Sequence, residues 1–280
     1  MNYFSLISIL LLSFSCGNSI QKESNAYYTK QDSIRCVEIL NSATPGNLNT
    51  TDIAKLFIGT PYQGGTLDRD TVERVVVRFD SLDCTTFVES VSALTRCINN
   101  GDKDFNSFAK ELENIRYRNG CCNGYTSRLH YFSEWILNNC EMGITEEILP
   151  TCLITAENRT INFMSRNADK YSGSTNDSVL NEIKKCETFL SSQSFTYIPK
   201  DKVVNLTPEI VQEGDIIAIV TDIEGLDISH VGFATYVNGV LHLLHASSAK
   251  NEVIIDPLPL NDYLAKRKHH IGVKVVKPLK

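Results

Sequence analysis

The sequence has no long basic run. With a net charge of −6, it lacks the clustered Lys and Arg that neutralise a phosphate backbone, which argues against nucleic acid as a partner. After residue 20 there is no apolar stretch long enough to span a bilayer. None of the nine cysteines stands in a CxxC pair, so the ligand spacing of a structural zinc site is missing, and no metal or cofactor is expected. There is no internal repeat, and no low-complexity segment apart from one short polar stretch near the N-terminus. What remains is 42% hydrophobic and 21% charged, the composition of an ordinary globular protein. Its 280 residues suffice for one sizeable domain with insertions.

Residues Phe4 to Phe14 are almost all apolar. About ten such residues are too short to cross a membrane but suit the h-region of an export signal. The segment ends in Ser13-Phe14-Ser15-Cys16-Gly17, which resembles a lipoprotein cleavage site with Cys16 as the lipidated residue; a plain secretory signal is the alternative. The expected layout is a signal peptide over residues 1–15, a polar tether over 16–28 and one domain over 29–280 with helical insertions at about 100–200. The protein is then exported, periplasmic and lipid-anchored to the outer membrane, as a monomer. Disulfides are open to an exported protein. Setting Cys16 and Cys84 aside leaves an odd seven cysteines, so at least one further thiol stays free or pairs between chains.

Helical spacing marks residues 33–40, 51–57, 85–99, 104–116, 128–139 and 179–191, with Thr51 or Asp52 as N-cap of the second segment. Residues 75–79 read as a short strand, and residues 157–178 as a polar loop. Strand-like runs then fill 215–221, 231–237, 240–246, 252–255 and 271–276, with Asn238-Gly239 as a hairpin turn. Helices first and antiparallel strands second describe an α+β domain.

Cys84 falls at a loop-to-helix junction, after Asp83. A helix N-terminus favours the thiolate, and its free N–H groups can hold an oxyanion. Asp83 reads as the cap of that helix. The base must be one of six histidines, and His230 begins a strand, where its side chain can face a cleft. Counting back across the Asn238-Gly239 turn, Val237 faces Val240, which makes His245 a diagonal neighbour of His230 on the same face. Cys84, His230 and His245 thus form a nucleophile, a base and a group that orients the base. His269 and His270, beside Lys266-Arg267-Lys268, read as a solvated turn.

Asp83-Cys84-Thr85-Thr86-Phe87-Val88, Ser229-His230-Val231-Gly232-Phe233 and His245-Ala246-Ser247, with Thr60-Pro61-Tyr62 and Gly64-Gly65 upstream, resemble the NlpC-type papain-like cell-wall hydrolases. A narrower likeness rests on Leu82 to Glu89, Arg128 to Trp135, Gly214 to Ala218, Gly225 to His230 and Leu244 to Ser248. These segments are similar to the N-acetylmuramoyl-L-alanine amidase-like branch of that superfamily. The resemblance implies a papain-like core, with the nucleophile helix packed on an antiparallel sheet and a pocket shaped by helical insertions. It implies hydrolysis of the amide between N-acetylmuramic acid and L-Ala in small or anhydro muropeptides, so peptidoglycan fragments are the expected partner.

The substrate-binding residues expected on this basis are Tyr62, Arg128, His130, Tyr131, Trp135, Asp227 and Ser229. On a helix, Arg128, Tyr131 and Trp135 would share one face. That face is either a cleft wall, with Arg128 on a peptide carboxylate, or an amphipathic face turned to the core. Tyr62 is either a donor to the oxyanion or substrate, or a core tyrosine. Other functions compatible with the sequence are a γ-D-Glu–diaminopimelate endopeptidase, a transpeptidase, and a non-catalytic lipoprotein that binds cell-wall fragments.

Overall fold

A computed structural model of the chain describes residues 26–43, 46, 49–68, 72–171, 173 and 176–279. The export segment and Cys16 lie outside these residues. Among the described residues, ten strands and eight α-helices follow in order: β1 (Ala26–Tyr27), α1 (Lys30–Ser42), α2 (Thr50–Lys55), β2 (Val75–Val76), α3 (Cys84–Asn100), α4 (Phe105–Arg116), α5 (Phe132–Glu141), β3 (Thr145–Ile148), β4 (Thr155–Asn158), α6 (Phe163–Arg166), α7 (Asp177–Ser192), β5 (Ser194–Pro199), β6 (Ile216–Thr221), β7 (Ile228–Val237), β8 (Val240–Ser247), β9 (Glu252–Pro259), α8 (Leu260–Ala265) and β10 (His270–Pro278). The class is α+β, as expected.

The main sheet is antiparallel, in the order β4-β5-β10-β6-β7-β8-β9, with β3 also pairing β10. It is covered on both faces, and β6 records this directly. Ile216, Ala218 and Val220 enter the core beneath the helices, while Ile217 and Ile219 enter a second core that also holds Leu260, Tyr263 and Leu264 of α8. Strand alternation therefore buries every residue of the run, where a one-sided sheet would alternate apolar with polar. A third cluster joins Tyr131 and Ile161 to Met164 of α6 and to Ile183 and Leu190 of α7.

Helix α3 packs against β7 and β8. Phe87, Val88, Val91, Leu94 and Ile98 are buried, and Phe87 meets Phe233 of β7 edge-on at 5.5 Å. Each fully buried side chain of this kind contributes about 1.5–3 kcal/mol, so the position of Cys84 at the helix start is held by the core itself. The Asn238-Gly239 turn forms as read, with both residues at positive φ (51° and 80°), the conformation a two-residue hairpin needs.

Four local readings change. The cap of α2 is Asn49, not Thr51 or Asp52; Asp52 is instead the third helical residue, returning a hydrogen bond to the cap. The strand read over residues 75–79 is only two residues long. It pairs with Ala26–Tyr27, three residues before the expected start of the domain. The polar loop read over 157–178 contains the end of β4, the short helix α6 and the start of α7. Finally, the segment 128–139 is helical only from Phe132 onward. Arg128 is extended and bridges Tyr117, so Arg128 and Trp135 do not share a helix face.

Candidate active site

Asp83 caps α3 by accepting the Thr86 N–H at 2.8 Å, and its own N–H donates to Thr86 Oγ1 at 2.9 Å. The cap uses the third N–H of the helix. The N–H groups of Cys84 and Thr85, in the first turn, have no partner along the helix. Cys84 stands half-buried in the wall of a cleft of about 250 Å³ that is also lined by Ser229, His230 and Val231.

Strand β7 bulges just before His230. Ile219 pairs with His230 but Val220 pairs with Ile228, which leaves Ser229 as one extra residue on β7. Such an insertion re-aims neighbouring side chains. Here Ile228 and Val231 both enter the helical core despite their odd separation. The Val231 N–H acts on the Cys84 sulfur as a hydrogen-bond donor, and His230 and Cys84 line the same cleft. His230 Nε2 lies 2.5 Å from His245 Nδ1, with the two rings nearly perpendicular. The diagonal contact expected from the hairpin register is present.

Gly232 makes that contact possible. Continuing the pairing of Phe233 with Leu244 sets Gly232 opposite His245. A Cβ on Gly232 would stand 2.8 Å from both His245 Cβ and the Leu244 carbonyl oxygen. Gly232→Ala is expected to push His245 off His230 and to lower kcat by about 100-fold, the scale of an ångström-sized misplacement. Steady-state kinetics beside an unchanged circular dichroism spectrum would test this.

Burial sets the resting charge state. It pushes the Cys84 thiol up to about 11; the Asp83 charge adds to this, and hydrogen bonds from Val231 and Thr85 oppose it. Burial also holds His230 well below its ordinary value, helped by the neighbouring His245, His270 and Arg267 charges. Both shifts favour neutral forms, so the resting pair is a thiol beside an uncharged imidazole.

The family model for N-acetylmuramoyl-L-alanine amidase-like proteins matches residues 52–273. The chain belongs to this family. Two crystal structures of a Bacteroides uniformis protein, named as an N-acetylmuramoyl-L-alanine amidase, share 34% identity with TM-scores of 0.78 and 0.79. They cover 82% and 83% of this chain, and 97% and 99% of their own. A Bacteroides fragilis protein provisionally named as a xylanase is 38% identical, with a TM-score of 0.74 over 81% of this chain and 99% of its own. None of the curated proteins compared with the chain matches it.

The amidase-like chain places its other expected site residues in two groups. His130, Ser229, Arg128, Tyr131 and Asp227 all line the cleft. Tyr62 is half-buried close enough to Cys84 and Asp83 for their charges to act on it; burial first, and then those charges, raise its phenol to about 12. It therefore stays a hydrogen-bond donor at neutral pH. Trp135 belongs to the other group. It is fully buried, stacks on Phe132 at 4.7 Å, and takes no part in the cleft wall.

Several cleft residues are already engaged. The Arg128 guanidinium pairs with Asp68, lies 3.6 Å from Glu73 and sits over the Tyr125 ring, so two carboxylates already balance its charge. Tyr131 donates to Glu187 and accepts the Met164 N–H, both at 2.8 Å, tying α5 to α6 and α7. Asp227 accepts the Ser133 N–H at 2.8 Å and the Ser133 hydroxyl at 2.6 Å. It thus supplies the cap that Tyr131, the first residue before α5, lacks. Asp68, Glu73, Tyr125 and Tyr171 have no motif in the sequence to mark them, because loops far apart in the chain bring them to the site. His269 is exposed beside Asp222, as read, but its neighbour His270 begins β10 and packs on Tyr263.

His130 Nε2 donates to the Tyr125 carbonyl at 2.8 Å. Burial, and then the Arg128 charge, lower it to about 3. The unfolded chain binds this proton near pH 6.5 and the folded chain does not, so the stability His130 confers is present above pH 6.5 and is lost as pH falls. His130→Gln retains an N–H donor without the titration. The variant should lose about 2 kcal/mol less than the parent between pH 6.5 and 4.5, read from urea unfolding at each pH.

Proposed function

We propose that the chain is a cysteine-dependent hydrolase of the amide between N-acetylmuramic acid and L-Ala in peptidoglycan fragments, with a papain-like arrangement of nucleophile helix and sheet. The observation that carries this reading is the contact of His230 Nε2 with His245 Nδ1 beside Cys84 at a helix N-terminus. With Nε2 engaged by His245, Nδ1 is the nitrogen of His230 left to exchange a proton with the thiol.

The steps follow from the neutral resting pair. As Cys84 Sγ attacks the lactyl carbonyl carbon, its proton passes to His230, and the first-turn N–H groups of α3 hold the oxyanion. The tetrahedral adduct collapses with cleavage of the C–N bond, and His230 protonates the departing L-Ala amine. Water then gives a proton to His230 and adds to the thioester, releasing the muramic acid carboxylate and restoring the thiol. Helix α3 favours the transient thiolate that burial disfavours in the resting enzyme.

A glycosidase reading, prompted by the name of one relative, finds less support. Glycoside cleavage needs two carboxyl groups free to act across the bond. In this cleft Asp83 caps α3, Asp227 holds Ser133, Glu89 pairs with Arg116 and Asp68 pairs with Arg128. We also place the protein in the periplasm, anchored to the outer membrane through a lipid on Cys16; the apolar run and its Ser15-Cys16-Gly17 end support this.

Amine labelling of the reaction products tests the bond. A new primary amine belonging to L-Ala is the expected result. A new amine belonging to diaminopimelate would replace this reading with endopeptidase activity.

A further inference from the structure

His245 is an unusual orienting residue. It is 1% exposed, and its Nε2 has no hydrogen-bond partner among the described residues, yet that nitrogen lies 3.5 Å from Asp256 Oδ2. Asp256 is itself 6% exposed, on β9. Its Oδ1 accepts the Leu258 N–H at 3.0 Å, and its backbone carbonyl accepts from His242 Nδ1 at 2.9 Å. The carboxylate is therefore fixed in place, with one oxygen turned to the imidazole.

The tautomers along this line are constrained. For His230 to take the Cys84 proton on Nδ1, its Nε2 must carry hydrogen and donate to His245 Nδ1. His245 must then carry its own hydrogen on Nε2, pointing at Asp256. An imidazole free to choose would sample the other tautomer, and its Nδ1–H would face the His230 N–H and turn the base into a donor. From this geometry we infer that Asp256 is a positioning residue, locking His245 in its Nε2–H tautomer and completing a line from Cys84 through His230 and His245 to a buried carboxylate.

Other charged and titratable groups face the two rings. Cys84 of α3 lines the same cleft as His230, and Tyr263 faces the rings from α8, Arg267 from the turn after α8, and His270 from β10. Tyr263 meets His245 edge-on at 5.6 Å, and the Arg267 guanidinium lies 3.6 Å from the centre of the Tyr263 ring. Burial and Arg267 disfavour positive charge on His245, and Asp256 is the group that favours it. The carboxylate therefore favours any positive charge that reaches His245 through its hydrogen bond with His230.

The inference rests on the nucleophile and base assigned above, but its test does not depend on the substrate. Nitrogen-15 imidazole spectra of the intact parent protein at pH 7, assigned by the loss of a signal in His245→Gln, read the tautomer directly. Protonated Nε2 with bare Nδ1 is expected; the reverse overturns the inference. Asp256→Asn keeps an acceptor for Leu258 but removes the charge. Its rate of Cys84 alkylation by iodoacetamide and its kcat should each fall at least ~10-fold at pH 7, with KM little changed. The acid limb of its kcat/KM profile should move down by about one pH unit. Wild-type rates and an unmoved limb would reduce Asp256 to a structural residue. A parent protein that alkylates normally but leaves muropeptide intact would count against the proposed substrate and not against Asp256.

Discussion

His230→Ala is expected to slow turnover by about ten-thousand-fold, with KM little changed, because the base acts only as the transition state forms. The resting thiol, pushed up to about 11, has almost no thiolate of its own at neutral pH, so without a base nothing removes its proton during attack. Cys84→Ala should be as slow, and the double variant no slower than either single one, since the two side chains act as a unit. Steady-state rates of the three variants measure this. A His230→Ala variant within ten-fold of the parent would show that the proton leaves Cys84 by another route.

The second large effect concerns stability. Arg116 Nε and Glu89 Oε2 lie 2.6 Å apart, each side chain only 2% exposed, and Arg116 also donates to the Val76 carbonyl at 2.7 Å. The pair joins α4 to α3 one turn beyond Cys84, and Glu89 lines the cleft. Arg116→Met should cost about 3–5 kcal/mol, because it strands a buried carboxylate. That is a large fraction of the ~5–15 kcal/mol that holds an ordinary domain together. Glu89→Leu combined with Arg116→Met should recover most of the loss, since neither charge then remains to be desolvated. Urea unfolding of the parent, single and double variants would check both statements. A single variant that loses less than 1 kcal/mol would mean that water reaches the carboxylate.

The parts of the site that sequence reasoning placed well are those set by local chemistry. Asp83 and Thr86 stand at the spacing of a reciprocal cap, so the start of α3 and the place of Cys84 as its first residue were legible. The Asn238-Gly239 turn fixed the register that brings His245 to His230. The bulge at Ser229 was invisible, because it is made by pairing with β6 and nothing in Asp227-Ile228-Ser229 announces it. It did not disturb the histidine contact, which depends on β7 and β8 alone.

Asp256 was missed for a different reason. Pro257 reads as the end of a strand, yet β9 runs on to Pro259. It can do so because it is the outermost strand of the sheet, where a residue without an N–H costs no interior hydrogen bond. Strands β3 and β4, with sequences TEEI and TAEN, carry too little apolar alternation to be read without their partners. Helical periodicity misled at Arg128. Its apolar neighbours Leu129 and Tyr131 are buried from an extended segment, where Leu129 N–H bonds the Arg116 carbonyl, and its charge answers carboxylates about sixty positions away.

The most direct test of the central claim is mass spectrometry of N-acetylglucosaminyl-anhydro-N-acetylmuramoyl tetrapeptide after incubation with the parent domain and with Cys84→Ala. Free disaccharide and an intact tetrapeptide beginning with L-Ala, formed by the parent and absent with the variant, are the expected products. Cleavage after D-Glu, or equal cleavage by both proteins, would contradict the account.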